Sequence, residues 1–291
     1  MKRDLRVAIA QISVKPYAIE ENIEKCVHWL EMAVKEHHAE LVVYPETITT
    51  GFAPGMLLEE FYNLVTFIPG SMTQKIVEAA KKLKVHVVFP TYERGETPGV
   101  IYNSSVLIDD LGNIVGIYRK THPFPTENIS AGGWTTPGRE AKVFETRLGK
   151  IGMIICYDGD FPELSRVLAV QGAEIIVRPS ALLRSYDIWS LTNHARAYDN
   201  HVYFIGANAV GADAANNFYF GSSMIISPIG EKLAQARGGD EIISAVLDHE
   251  PLKYVSLGSH NKMVFNHIED RNLEVYQEHI LKPAQSPFQR G

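Results

Sequence analysis

Apolar positions recur along this chain with two different periods, and the periods alternate in blocks. Leu5 to Ile12 alternates and reads as a first strand. Ile19, Ile23, Cys26, Val27, Leu30 and Val34 then recur at helical spacing, which puts Cys26 on the inner face of a helix. Leu41 to Tyr44 is a short buried strand, and the loop Thr49-Thr50-Gly51-Phe52-Ala53-Pro54-Gly55 follows it closely. Helical stretches come next, near Leu57–Val65 and Met72–Leu83, before strands at Val85–Phe89 and Ile101–Ile108. Asp109 to Asn113 is a turn, and Ile114–Arg119 completes a hairpin. Residues 121–140 are rich in Gly, Pro and Thr, a long loop of the kind that often carries function.

The second half repeats the scheme. A strand at 151–156 leads to a helix from about Pro162 to Val170, stopped by Gly172. Strand 174–177 and a helix near Ile188–Asn200 precede a strand at Val202–Ala207. Strands near Tyr219–Ser227, Lys232–Gln235 and Ile242–Leu247 close that half. Each half thus has helices early and hairpins late, which predicts an α/β protein built as a four-layer α-β-β-α sandwich. No linker interrupts the pattern, so residues 1–291 read as a single domain. Its core spans about 4–248, with an extension over 249–291 whose stretch Glu269 to Asn272 is solvated or at a subunit contact.

Three of these strands end in reactive side chains. Leu41 to Tyr44 stops at Pro45 and is followed by Glu46. Ile114 to Arg119 is followed by Lys120, and Ile151 to Ile155 by Cys156. The carboxyl edge of strands is where α/β proteins bind ligands. After Cys156 comes Tyr157-Asp158-Gly159-Asp160-Phe161-Pro162-Glu163, which reads as a tight turn into a helix. Asp160 and Glu163 have capping-box spacing, and Pro162 suits a first turn. A thiol on such an elbow is expected to feel the positive helix end, which favours thiolate.

In these segments the chain resembles the nitrilase superfamily of carbon–nitrogen hydrolases. The matching pieces are Tyr44-Pro45-Glu46, Tyr118 to His122 and Gly152 to Glu163, continuing through Gly172 to Val177, Gly206-Ala207-Asn208, Phe220 to Ser223 and Ser227 to Gly230. The resemblance implies the same α-β-β-α fold, two copies packing helix layer on helix layer, and a Glu46-Lys120-Cys156 triad. Cys156 would be the nucleophile and Glu46 the general base and acid. Lys120 and the backbone N–H of Tyr157 would hold the oxyanion. It also implies a second glutamate after the lysine, for which Glu127 is the best match and Glu140 and Glu145 the alternatives.

Substrate clues are thinner. Nitrile-cleaving relatives typically have Trp-Glu after the cysteine, where this chain has Tyr157-Asp158, so amides are favoured. The segment from Asp158 to Glu163 with Ile176-Val177-Arg178 resembles the aliphatic amidase and formamidase branch. Relatives that hydrolyse N-carbamoyl amino acids often carry an arginine where Gly159 and Asp160 stand. A free carboxylate on the substrate is therefore not expected unless Arg178 or Arg184 binds it, whereas an amine would suit Asp160. Trp134, Phe161, Tyr186 and Trp189 are candidates for an apolar pocket. The expected activity is release of ammonia from a small primary amide through a thioester. The alternatives are N-carbamoyl hydrolysis and a non-catalytic interaction protein on the same fold.

Composition narrows the partners. Of 291 residues 45% are hydrophobic, ample for a large core, and the net charge of −6 with no basic stripe argues against nucleic acid. There is no long apolar run for a membrane and no signal-peptide core after Met1. Two cysteines make no disulfide framework, so the cytoplasm is the expected compartment. The histidines form no His-Glu-x-x-His motif, and turn chemistry accounts for Asp158 and Asp160, so neither metal nor organic cofactor is expected. The expected partners are a small-molecule amide and further copies of the chain, as a homodimer or larger homo-oligomer.

Overall fold

The computed structural model describes residues 1–252, 265–277, 280 and 282. Two six-stranded sheets face each other with helices outside. The first sheet contains β1 (Leu5–Gln11), β2 (Leu41–Val43), β3 (His86–Arg94), β4 (Ile101–Ile108) and β5 (Ile114–Arg119). The second contains β6 (Val143–Thr146), β7 (Gly149–Met153), β8 (Ile175–Ser180) and β9 (Tyr203–Asn208). A separate ribbon pairs β10 (Val210–Ala212) with β11 (Phe218–Phe220). β12 (Met224–Ile226) and β13 (Lys232–Gln235) complete the second sheet, and β14 (Glu241–Leu247) follows. Helices α1 (Ile19–His37), α2 (Leu58–Leu64) and α3 (Ser71–Leu83) belong to the first half, and α4 (Pro162–Val170) and α5 (Tyr186–Asn200) to the second. A short α6 (Leu273–Gln277) lies beyond.

Parallel strands explain the continuous apolar runs. β2 is flanked in parallel by β1 and β3, and β8 by β7 and β9, so each is covered on both faces. The core between the sheets draws Ile9, Val43, Val88 and Leu107 from one and Met153, Val177 and Ile205 from the other. A second cluster lies under α1 and α3, where Cys26 is fully buried beside Ile23 and Leu30. Among the described residues no helix is long and apolar enough to cross a membrane.

The halves are less separate than the sequence pattern implies. β14 does not close the second half but pairs antiparallel with β1 along its whole length, from Leu5↔Leu247 to Gln11↔Glu241. Without it, β1 would present an open edge. The expected strand over Tyr219–Ser227 is two strands of different sheets, parted at Gly221 to Ser223. β3 and β8 run further than their apolar stretches because polar residues such as Thr91, Glu93 and Arg178 are buried in them. The 121–140 loop holds a short 3₁₀ turn at Ile129–Ala131, closed by a single bridge between Asn128 and Thr135.

Candidate active site

Strand β7 stops at Met153, three residues short of the cysteine. Ile154 and Ile155 carry extended chain onward, and Cys156 opens a 3₁₀ turn over Cys156–Asp160. Its φ of +46° lies in the left-handed region, a conformation that costs a non-glycine residue on the order of 1–3 kcal/mol. Three hydrogen bonds hold it there. Ile155 N–H donates to Asp158 Oδ2 at 2.9 Å, Asp158 N–H returns to the Ile155 carbonyl at 3.0 Å, and Arg178 Nε donates to the Cys156 carbonyl at 2.7 Å. The N–H groups of Cys156 and Tyr157 open the turn, where no intrahelical acceptor exists. Gly159 is required beside them, since a Cβ there would lie 2.2 Å from the Arg178 guanidinium.

The lysine is fully buried between two carboxylates. Lys120 Nζ donates to Glu46 Oε1 at 2.8 Å and to Glu127 Oε2 at 2.7 Å. Asn103 Nδ2 bridges the same pair, donating to Glu46 Oε1 at 2.7 Å and to Glu127 Oε1 at 2.9 Å. Glu46 Oε2 takes the Ala181 N–H at 2.6 Å, and Glu127 Oε2 takes the Phe124 N–H at 3.0 Å. Glu127 is thus the glutamate that reaches Lys120. Glu140 pairs with Lys142 and Glu145 with Lys150, both at the surface.

Asp158 locks the lysine segment to the cysteine elbow. It is fully buried and receives Tyr118 Oη at 2.7 Å, Thr121 Oγ1 at 3.1 Å and the His122 N–H at 2.9 Å, besides Ile155 N–H. His122 Nδ1 is also 2.9 Å from it, and the His122 ring stacks on Phe161 at 3.9 Å. The capping box expected of Asp160 and Glu163 does not form. Phe161 is the residue preceding α4 and makes no side-chain cap, while Asp160 faces Arg178 and Arg184 instead.

The electrostatics reverse one expectation. Burial and the Glu46 carboxylate push the Cys156 thiol up to about 12, against Lys120, Arg178 and the Ala181 N–H, which favour its ionised form. The helix end therefore does not make a resting thiolate. Burial also raises Glu46, opposed by Lys120 and reinforced by Glu127. Lys120 is desolvated too, but the carboxylates of Glu127 and Glu46 win and raise it, so it stays an ammonium. The thiol therefore rests protonated, with the Glu46 carboxylate close enough to act on it electrostatically.

Of the four aromatic candidates, the structure brings two to the site. Trp134 packs edge-on to Phe52 at 5.6 Å, and Lys120 Nζ lies 5.4 Å from the Phe52 ring. Phe161 meets Tyr157, the neighbour of Cys156, at 5.1 Å. Trp189 is instead fully buried behind Arg178, its Nε1 donating to the Ser222 carbonyl. Tyr186 is exposed and bonded to Gln235. Neither lines the pocket: Tyr186 is the first residue of α5, at its exposed end, and Trp189, one turn on, packs into the core.

A small chamber beside Glu46 is lined by Phe52, Ala181, Val210, Asp213 and Tyr219, none of which sequence reasoning selected for the pocket. Asn103 was missed as well. Its signal was a polar run, Asn103-Ser104-Ser105, inside an otherwise apolar strand. Among the described residues, the one cluster with metal-ligand spacing is Asp4, Asp248 and His249, where β1 begins and β14 ends. That is the sheet edge opposite Glu46.

Comparison with known proteins follows the same lines. The profile of the family described as carbon-nitrogen hydrolase matches residues 6–253. A probable nitrilase of Schizosaccharomyces pombe is 30% identical over 280 residues, covering 95% of this chain and 98% of that protein. A citrullinase of Francisella tularensis is 28% identical over 292 residues, covering 96% and 99%. The crystal structure of a carbon-nitrogen hydrolase from Helicobacter pylori G27 superposes with a TM-score of 0.81 at 25% identity, over 96% and 99% of the chains.

The buried charge cluster makes a direct prediction about stability. Lys120→Ala leaves two carboxylates facing each other without their cation, and should cost about 3–5 kcal/mol. Adding Glu127→Gln should recover part of that loss. Equal urea midpoints for the single and double variants would contradict the charge argument.

Proposed function

The chain belongs to the carbon–nitrogen hydrolase family, and from that premise we propose that it is a cysteine-dependent amidohydrolase acting on a small aliphatic primary amide. The observation that carries this reading is the convergence of Glu46, Lys120 and the Cys156 elbow in one buried cluster. In the proposed reaction Glu46 takes the thiol proton as sulfur attacks the amide carbon. The oxyanion that forms lies between Lys120 Nζ and the Tyr157 N–H, where loss of one donor typically costs about 2.7–4 kcal/mol of barrier. Glu46 returns its proton to the departing nitrogen, ammonia leaves, and a thioester remains. Water then gives a proton to Glu46 and attacks the thioester, and the acid departs as the thiol is restored. Glu127 and Asn103 act by holding Lys120 and Glu46 in place.

A second reading is hydrolysis of an N-carbamoyl compound, releasing ammonia and carbon dioxide. The similarity to a protein named for citrulline favours it. Ammonia release from a panel of primary amides, N-carbamoyl compounds and nitriles separates the two, with carbon dioxide assayed in parallel. Activity should vanish in Cys156→Ala, and ammonia without carbon dioxide supports the amidase. A fully active Cys156→Ala enzyme would overturn both readings.

The pH profile has a defined sign. Glu46 must be ionised to take the thiol proton, and its pKa is raised. Thus kcat/KM should climb with pH through an apparent pKa above the ordinary carboxylate range, belonging to the coupled pair of Glu46 and Cys156. An acid limb at the ordinary carboxylate position would argue against Glu46 as base.

For assembly, we propose that a second copy covers the outer face of α4 and α5. Val167, Val170, Leu191 and Tyr198 are exposed there. Leu191→Glu should shift the sedimentation coefficient toward that of a monomer; a wild-type chain that sediments as a monomer refutes the contact.

A further inference from the structure

Asp160 was expected to leave a negative charge for a substrate amine, and its surroundings cancel that charge twice. Arg178 Nη2 lies 3.2 Å from one of its oxygens and Arg184 Nη2 lies 2.8 Å from the other. One carboxylate thus faces two guanidiniums, and the local excess is positive.

The two arginines differ in what they have left to give. Arg178 is fully buried, and its Nε, Nη1 and Nη2 are taken by the Cys156 carbonyl, Thr192, Asn193 and Asp160. Among the described residues, the only polar partner of the Arg184 side chain is Asp160. The Arg184 side chain is 30% exposed. Its guanidinium lies 5.5 Å from the ring of Tyr157, next in sequence to Cys156, and 5.6 Å from the ring of Phe124, whose N–H holds Glu127. The segment carrying it is fixed by Ala181 N–H on Glu46 and Leu182 N–H on Asn208 Oδ1. An under-used planar fork is therefore held on the aromatic rim of the site. Such a fork matches a carboxylate, and its remaining donors can bind one without releasing Asp160.

We propose that Arg184 is an anion subsite of this site, and that the substrate is an amide carrying a carboxylate at the end remote from the scissile bond. This rests on the amide-hydrolysing reading above and narrows its substrate class to half-amides of dicarboxylic acids and similar anionic acyl groups. Arg184 acts here as a specificity residue and takes no part in bond breaking.

The test compares succinamate and glutaramate with the neutral amides butyramide and valeramide, for wild type, Arg184→Gln and Arg184→Lys. The wild type should prefer the half-amides. In Arg184→Gln the ratio of kcat/KM for half-amide over neutral amide should fall roughly 10- to 100-fold, the range for losing a charged hydrogen bond. The change should sit in KM, and Arg184→Lys should recover part of it. Calorimetric binding of succinamate to Cys156→Ala, with and without Arg184→Gln, reads the subsite independently of turnover. An unchanged ratio, or an equal loss for both substrate types, would overturn the proposal and leave Arg184 as a tether for its loop. Hydrolysis of neutral amides but not of half-amides would sink the subsite and spare the amidase reading. Arg184-dependent binding without hydrolysis of any amide would do the reverse.

Discussion

A buried ammonium must be neutralised where it lies, and Lys120 meets two carboxylates. Taking these groups out of solvent is costly, and only close, well-aimed pairing offsets it. The rest of the site follows from that demand. Glu46 comes from the end of β2, Glu127 from the loop after β5, and Asn103 from β4. Each must arrive in register for the cluster to be neutral enough to exist. The cluster fixes the distance between the two sheets at this edge, because Glu46 in the first also binds the Ala181 N–H at the end of β8 in the second.

Charge balance then sets the state of the Cys156 thiol. Two carboxylates against one lysine leave the cluster net negative, and a neighbouring thiol resists becoming a second excess anion. In the proposed reaction the thiol and Glu46 are thereby coupled, and the sulfur would ionise as Glu46 accepts its proton. Asp158 adds the geometric half of this arrangement. By binding both Tyr118 to His122 and Ile155, it makes the lysine strand and the cysteine elbow one rigid unit.

Much of this was legible in sequence because the reactive side chains end apolar strands with characteristic flanks. Glu46, Lys120 and Cys156 stand immediately after such runs, and Glu127 was reachable through its nearness to Lys120. Asn103 was not, since its importance depends on the hairpin that lays β4 beside β5. The thiol's state was misread because a helix end is visible in sequence while complete desolvation is not. Asp160 was misread for a related reason. Its spacing to Glu163 fits a cap, but Arg178 and Arg184 come from a strand and loop some twenty residues on and claim it first. Trp189 and Tyr186 show the limit for aromatics: three residues apart they share a face of α5, and only their depth in the fold makes one a core ring and the other an exposed one.

The pairing of β1 with β14 bears on how the chain matures. β1 lies near the start of the chain and its antiparallel partner some 235 residues later. During synthesis the first sheet therefore waits with an unpaired edge while the whole second sheet is made. Such an edge is a template for wrong strands, including those of neighbouring nascent chains. β1 itself is nearly all apolar and largely buried once paired, which makes that interval hazardous. A chain stalled before β14 would hold every residue of the proposed triad and still lack the strand that shields β1. Quality control in the cell would meet this protein as a nearly complete enzyme with one sticky side.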